Sequence, residues 1–432
     1  MRTTALVIVF ILTFTHLAND LFQAFFQAIY PQIKESLLLT FTQIGFITLT
    51  FQFTSSICQP IVGMITDKRP LPYLLPIGMT FTLIGVTMIS FADSFAMVLV
   101  SVGFIGLGSA VFHPEASRIV LLVSGSRVGL FQSIFLVGGN VGGSFGALFA
   151  VIFIAPYGHG QTIWLSAFVI CTIIALLPVC RWYSCNLNQL KIIRNKNNSD
   201  KNSDKNSDMN SDKNSDKKSD TKSDMNSSNN SILSSVPHVT SSIELSRAAV
   251  IGALIILMTL IFSKYVYLAC FRNFYTFYLI ECYGVTLQDA QIYLFLFLFA
   301  AAIGTLVGGP IGDRIGRKYV IWVSILGAFP FTVSVPLVDS LWGTCLLSIT
   351  AAFILSSAFS AILMYAQELT PGKVGMVAGL FFGLAFGIAG IASAVLGKFA
   401  DLYGINFVFE FCSLLPILGL ATYLLPNIKP AK

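Results

Sequence analysis

Apolar runs recur along the chain near residues 4–30, 43–65, 73–92, 95–123, 127–153 and 162–182, and again near 247–279, 289–311, 319–338, 341–366, 374–398 and 404–425, with polar residues gathered between them. A helix crosses the hydrocarbon core with about 20 mainly apolar residues, so each run predicts a membrane helix. Six precede and six follow a polar stretch at 183–245. The first run has only Arg2 before it, is too long for a signal-peptide core and lacks a small-x-small cleavage site, so it predicts a retained first helix. The expected fold is therefore all-α and membrane-embedded: a six-helix half at 1–182, a cytoplasmic linker at 183–245 and a six-helix half at 246–432.

Composition removes the soluble alternatives. Of 432 residues 55% are hydrophobic and 11% charged, where soluble proteins carry about 25% charged residues. Seventeen of the 46 charges fall in 183–245, leaving the rest poorer still. The net charge of +6 does not point to nucleic acid, because the cations form no basic patch interleaved with aromatics and lie mostly at the ends of apolar runs. The eight cysteines are scattered without a CxxC pair, which predicts packed thiols and neither disulfide framework nor metal site.

Charge also orients the chain. With the N-terminus inside, the inner loops hold Lys68, Arg69, Arg127, the polar stretch, Arg314, Arg317, Lys318, Lys373, Lys429 and Lys432, while the outer loops hold only Lys34 and Lys398. That bias places both termini in the cytoplasm of a cell (inner) membrane protein. Within 183–245 aspartate recurs every fourth residue from Asp200 to Asp224. On a helix these would stack as like charges, and Asn, Ser and Asp are poor helix formers, so the stretch reads as a disordered spacer, or else a regulatory segment.

The halves repeat one another. Gly63, Asp67 and Lys68 follow the second run as G-x-x-x-D-K, and Gly309, Asp313 and Arg314 follow the eighth as G-x-x-x-D-R, 246 residues on. Val128-Gly129 and Val374-Gly375 differ by the same 246. Repeated halves are the pattern of a transporter with its site between them near the midplane. The run Gly309-Pro310-Ile311-Gly312-Asp313-Arg314-Ile315-Gly316-Arg317-Lys318 resembles the loop motif G-x-x-x-D-R-x-G-R-K of the major facilitator superfamily, with Gly63 to Arg69 a partial copy. The resemblance implies that these residues govern conformational change.

A closer likeness lies in His16-Leu17-Ala18-Asn19-Asp20, Gln52-Phe53 through Gln59-Pro60, and Val111-Phe112-His113-Pro114-Glu115-Ala116-Ser117-Arg118. It continues in Gln132-Ser133-Ile134-Phe135, Gly138-Gly139-Asn140 and Ala155-Pro156-Tyr157-Gly158. The chain resembles the fosmidomycin resistance family of bacterial efflux transporters, most strongly over 16–183 and more loosely over 247–426. The resemblance implies proton-driven export of a small anionic phosphonate. The Asp-rich linker departs from it, since related transporters usually have a shorter middle loop.

On the first run His16, Asn19, Asp20, Gln23 and Gln27 fall within an arc of roughly 100° at helical spacing. Lipid cannot satisfy such a face, so it must meet protein or water. Asp20 falls near the midplane and is the first candidate proton carrier, with a structural hydrogen-bonding role as its alternative; His16 stands beside it. On the fourth run Glu115 and Arg118 are three residues apart and can pair, while His113 projects away from both. Glu115 is either a protonatable switch that releases Arg118 or half of a fixed ion pair, and His113 either a carrier or a packed histidine beside Pro114.

Gly129, Gly138, Gly142 and Gly146 on the fifth run match the antiporter pattern G-x8-G-x3-G-P-x2-G, except that Gly143 replaces proline. Gly138, Gly142 and Gly146 share a packing face, opposite which Asn140 can line a cavity; generic close packing is the alternative. The seventh run offers Lys264 and Arg272 among tyrosines, suited to an anion. Lys264 is the deeper; Arg272 falls near the outer interface, where it can snorkel. The expected substrate contacts are Asn19, Gln23, Gln52, Arg118, Gln132, Asn140, Lys264 and Arg272, and the expected proton-coupling residues Asp20, Glu115, His16 and His113.

No P-loop, nucleophile elbow or metal-ligand cluster is visible in the sequence. The chain reads as a secondary transporter and not an enzyme, without cofactor, acting as a monomer on protons and a small anion within the bilayer. A proton-coupled importer of an organic anion and a transporter-like sensor signalling through 183–245 are the alternatives.

Overall fold

The computed structural model describes residues 2–124, 128–153, 162–186, 246–370 and 374–426. The reading of 183–245 as a spacer, together with Arg127, Ala155-Pro156-Tyr157-Gly158, Lys373, Lys429 and Lys432, falls largely or wholly outside them. The first group of helices is α1 (Arg2–Ala28), α2 (Tyr30–Ser36), α3 (Phe41–Lys68), α4 (Leu74–Ser90), α5 (Phe95–Ser124), α6 (Val128–Phe153) and α7 (Ile163–Asn186). The second is α8 (Arg247–Tyr283), α9 (Leu287–Ile315), α10 (Arg317–Leu326), α11 (Phe329–Ser334), α12 (Leu341–Ser356), α13 (Ala358–Leu369), α14 (Val374–Tyr403) and α15 (Ile405–Ser413), ending in a 3₁₀ stretch, Leu415–Leu424.

Several predicted single helices are divided, and proline explains most of the divisions. Pro31, Pro330 and Pro416 stand in the first turns of α2, α11 and the 3₁₀ stretch, where a residue without an N–H starts a new helix more readily than it continues an old one. The tenth run divides without proline. The Ser356 carbonyl, at the junction of α12 and α13, accepts the Lys264 amine at 3.1 Å and the Thr305 hydroxyl at 3.4 Å.

Ten helices among the described residues are long and apolar enough to cross a membrane. Two of the twelve predicted spans fall short of that measure. α4 is apolar but has 17 residues; α3 has 28 but carries Gln43, Thr48, Gln52, Ser55 and Gln59. Its polarity has a physical reason: Thr48, Gln52 and Ser55 face Asn273, Gly390 and Ser109 inside the protein, while Phe53, Ile57 and Met64 stay exposed on the other side.

Within the first bundle α1 lies against α6 so closely that a Cβ on Gly142 would fall 2.0 Å from the Leu17 carbonyl oxygen, with Gly138 and Gly146 equally tight. That contact is the packing face expected for the glycine row. Between bundles, α3 meets α14 on the same terms: a Cβ on Gly45 would fall 2.3 Å from Ser393 O, and one on Gly397 2.3 Å from Phe41 O.

The hydrogen bonds joining the bundles gather on one side, here the far side, opposite the helix ends that flank 187–245. Asp401 binds the first turn of α3, and Gln291 donates to the Ala28 carbonyl at 2.8 Å. The Tyr30 hydroxyl lies 2.8 Å from Thr48 Oγ1, which donates at 2.9 Å to Asn273 Oδ1, whose amide donates at 2.7 Å to Ser393. Tyr30, Thr48, Asn273 and Ser393 are buried and bonded to one another, so this side is closed by a polar plug.

Candidate functional site

On the linker side of that plug lies a small cavity lined by Gln27, Thr48 and Gln52 from the first bundle and by Tyr265, Arg272 and Asn273 from the second. Arg272, exposed to solvent there, stands 11 residues before the end of α8 at Tyr283. At 1.5 Å per residue that is roughly 16 Å inside the end of the helix. A guanidinium within a membrane span needs water or an anion for company, and Arg272 finds the cavity, whose wall it forms.

Below the first bundle's polar lining, α1, α5 and α6 bring His16, Asp20 and His113 together. The Asp20 carboxylate lies 3.4 Å from His16 Nε2 through Oδ2 and 3.2 Å from His113 Nε2 through Oδ1. Asn19 and Gln23 donate to Oδ1 at 3.0 and 3.4 Å, and Gln23 reaches Ser109 at 3.1 Å. Four of the five residues of the polar arc read from α1, all but Gln27, thus form one hydrogen-bonded group. It is joined by a histidine 93 residues away.

The backbone fixes both imidazoles. His16 Nδ1 is 2.8 Å from the Phe135 carbonyl and His113 Nδ1 is 3.0 Å from the Ser109 carbonyl. A carbonyl can only accept, so with its hydrogen on Nδ1 toward that carbonyl a neutral ring would aim the lone pair of Nε2 at a carboxylate; His113 Nδ1 also lies 3.2 Å from the Ser109 hydroxyl. Lone pairs facing one another at this range repel. The group is satisfied only when a proton or another cation lies between Asp20 and the rings.

Space for it comes from α6. A Cβ on Gly139 would fall 2.5 Å from His16 Nε2 and 2.7 Å from Asp20 Oδ2, so only glycine fits. His16 stacks on Phe135 with centroids 4.1 Å apart and meets His113 edge-on at 5.1 Å. Buried almost completely, His16 forms the back wall. Asp20 and His113, with side chains 24% and 29% exposed, face outward from it.

Other expected residues lie elsewhere. Glu115 is buried and pairs with Arg118 at 3.5 Å, and Arg118 also donates to the Thr66 carbonyl at the end of α3. That cluster is separate from the triad. Lys264 donates to Ser356 and lies over the rings of Phe359 and Tyr265, at 5.1 and 5.5 Å; it bolts the junction of α12 and α13 and does not line the cavity. Gln52 lines the cavity, and Asn140 is half-buried on α6. The side chain of Gln132 lies outside the described residues, as do those of Asp67, Lys68 and Asp313 and the surroundings of Gly309.

What can be described of the repeated loop motif forms a joint. Gly316, at φ +100°, turns the chain from α9 into α10, a conformation glycine adopts without strain. Arg317 then pairs with Glu368 and donates to the Met364 carbonyl. Arg314 is exposed, and Gly63 has no atom near the position of an added Cβ. Arg118 with Glu115 and Arg317 with Glu368 therefore hold corresponding ends of the two bundles, from opposite helices. The carboxylate absent at Ala361, where the repeat would put a partner of Glu115, is replaced by Glu368.

The family model of the Major Facilitator Superfamily matches residues 12–268 and 257–432. The chain belongs to this superfamily of membrane transporters. It is 46% identical over 416 residues to the fosmidomycin resistance protein of Escherichia coli (strain K12), covering 96% of this chain and 92% of that one. It is 37% identical over 425 residues to the uncharacterized MFS-type transporter YfnC of Bacillus subtilis (strain 168), covering 98% and 94%. Among solved structures, a bacterial homolog to the human lysosomal transporter Spinster, inward-facing and unoccupied, matches with TM-score 0.72 at 13% identity over 98% of both chains. The nucleoside transporter NupG matches with TM-score 0.66 at 12% identity, covering 96% and 99%. These two establish the fold; the sequence relatives carry the likeness to the fosmidomycin resistance family along nearly the whole chain.

Asn273, Thr48 and Gly139 had not been singled out from the sequence. Asn273 offered a faint signal, an amide beside Arg272 in an apolar helix. Gly139 offered none, because its role depends on which residues of α1 it faces.

Proposed function

We propose that the chain exports a small anionic compound such as fosmidomycin in exchange for protons. The observation that carries this reading is a cavity between the bundles lined by Arg272 on the second, with the Asp20 triad, outside that lining, on the first. Arg272 supplies the charge-assisted hydrogen bonds that replace an anion's hydration, with Tyr265, Gln27, Gln52 and Asn273 around it. The triad supplies a position that a proton must fill and can leave. The name of the Escherichia coli relative supports fosmidomycin as the compound to try first.

In this reading the far side faces outward, both termini and 183–245 face the cytoplasm as the loop charges require, and the form described here is open to the cytoplasm. Anion enters from inside and sits against Arg272; the bundles rock, the far side opens, and a proton taken up by the triad returns the carrier as the anion leaves. Residues 1–182 and 246–432 act as the two rocking bodies of a monomer, and 183–245 only tethers them.

The test uses proteoliposomes holding the full chain and radiolabelled fosmidomycin. An imposed proton gradient should drive the antibiotic against its concentration in the direction opposite to proton flow, and expression in a sensitive bacterium should raise tolerance. Movement of proton and anion in the same direction would replace export by import.

A further inference from the structure

His16, Asp20 and His113 have a second chemistry, because two imidazoles and a carboxylate are a ligand set for a borderline divalent cation. We infer that the triad is a binding site for a transition-metal ion of the Zn²⁺ or Co²⁺ class.

Three features of the geometry carry this. The ligand atoms lie within 4.8 Å of one another, and the two nitrogen-to-oxygen separations are 3.4 and 3.2 Å. A tetrahedral ion with bonds of about 2.0–2.1 Å has edges of about 3.3–3.4 Å; the two nitrogen-to-oxygen separations, made to different oxygens of the carboxylate, match that edge, and a small inward shift of the rings closes the set on one ion.

Next, both rings are presented correctly. Each Nδ1 is held by a backbone carbonyl, at 2.8 Å for His16 and 3.0 Å for His113. That is the outer-shell bond that fixes the tautomer of a metal-binding histidine and leaves Nε2 free to ligate. Asp20 is likewise held, by the Asn19 amide at 3.0 Å. Metal-binding side chains are usually oriented by such partners, and here every member has one.

Finally, the site is both walled and reachable. Gly139 leaves no more than the room the triad needs, while Asp20 and His113 stay about a quarter exposed, so water or an anion can complete the shell. Two nitrogens and an oxygen favour Zn²⁺, Co²⁺ or Ni²⁺ over Mg²⁺ and Ca²⁺, which take oxygen ligands. Sequence spacing could not reveal the set, because one ligand comes from α5 and two from α1.

The experiment is a Co²⁺ titration of the full chain in detergent, carrying no polyhistidine tag, followed by visible absorption and then displacement with Zn²⁺. One Co²⁺ per chain is expected, with the intense absorption of a four-coordinate ion, lost on adding Zn²⁺ and unaffected by Mg²⁺. His113→Gln and Asp20→Asn should each weaken binding at least tenfold, on preparations eluting as single symmetric peaks; if one variant aggregates, the other decides. Of the four histidines, His159 and His238 lie outside the described residues, and replacing both by alanine should leave binding intact. Absence of a stoichiometric Co²⁺ signal, or its survival in both ligand variants, overturns the site. Binding is measured without substrate or gradient, so it stands apart from the exchange reading: metal bound by a carrier that ignores protons would sink the exchange alone, and proton-driven export without metal binding would sink this site alone.

Discussion

Asp401 at the end of α14 caps a helix of the opposite bundle: its carboxylate accepts the backbone N–H of Thr42 at 2.7 Å, that of Phe41 at 2.8 Å, and the Thr42 hydroxyl. The first amides of a helix have no partner within it, and the helix dipole favours a negative charge there. Because the two residues belong to different bundles, the cap exists only while the far side is closed. It is an electrostatic clasp on the gate.

Asp401→Ala should therefore favour the form open on the far side. Loss of a helix cap costs typically about 1 kcal/mol, roughly a fivefold change in the ratio of the two forms. Spin labels at the exposed positions Leu38 and Tyr403 report it as a larger long-distance population in pulsed electron resonance. An unchanged distance distribution would show that the cap does not bear on the gate.

Asp20→Asn should abolish proton-driven accumulation while leaving exchange of substrate across the membrane in place. The amide keeps an acceptor toward His113 but removes the charge that obliges the triad to hold a proton. Glu115→Gln should slow transport without uncoupling it, because Arg118 remains tied to the Thr66 carbonyl. Should Glu115→Gln uncouple as fully as Asp20→Asn, proton carriage extends to the end of α5.

Arg272→Ala should weaken binding of an anionic substrate at least tenfold, since truncating one partner of a buried charge pair costs about 2 to 5 kcal/mol at interfaces. Lys264→Ala should instead lower thermal stability and spare binding, as its amine serves Ser356. Equilibrium binding and melting curves on the two variants separate these outcomes. The sequence reading put the larger substrate role on Lys264, and a loss of binding there with normal melting would restore it.

Gly139→Ala and Gly143→Ala form a matched pair four residues apart on α6. The first puts a methyl group 2.5 Å from the His16 ring, while the second meets nothing within 4 Å. Gly139→Ala should remove transport with the protein still in the membrane; Gly143→Ala should keep nearly all of it. Equal activities would mean that α1 and α6 can part by enough to absorb the methyl.

The helices, the repeat and the polar face of α1 were legible because each depends on residues close in sequence. Asn19, Asp20 and Gln23 share a face by helical spacing alone, whatever they meet. What they meet was hidden: His113 comes from α5, and its turn toward Asp20 depends on how two helices pack. α8 runs four residues past its predicted end, so Arg272 lies farther from the end of its helix than hydropathy implied, and Lys264, at the middle of α8, donates to a helix junction that spacing cannot show. The span of α3 was legible as the run at 43–65, but the protein partners of its polar residues were not.

The divided helices have a mechanical consequence. Three of the second bundle's segments are broken, between α10 and α11, between α12 and α13, and between α15 and its 3₁₀ extension, whereas α1 runs from Arg2 to Ala28 without a break or a proline. A helix bends most easily where its hydrogen-bond ladder is interrupted. Arg272 stands on the unbroken α8 among segments that can flex, while His16 and Asp20 stand on a helix with no joint. Amide hydrogen exchange should trace that difference, fastest at the breaks around Gly327, Ser357 and Leu414 and slowest along the middle of α1.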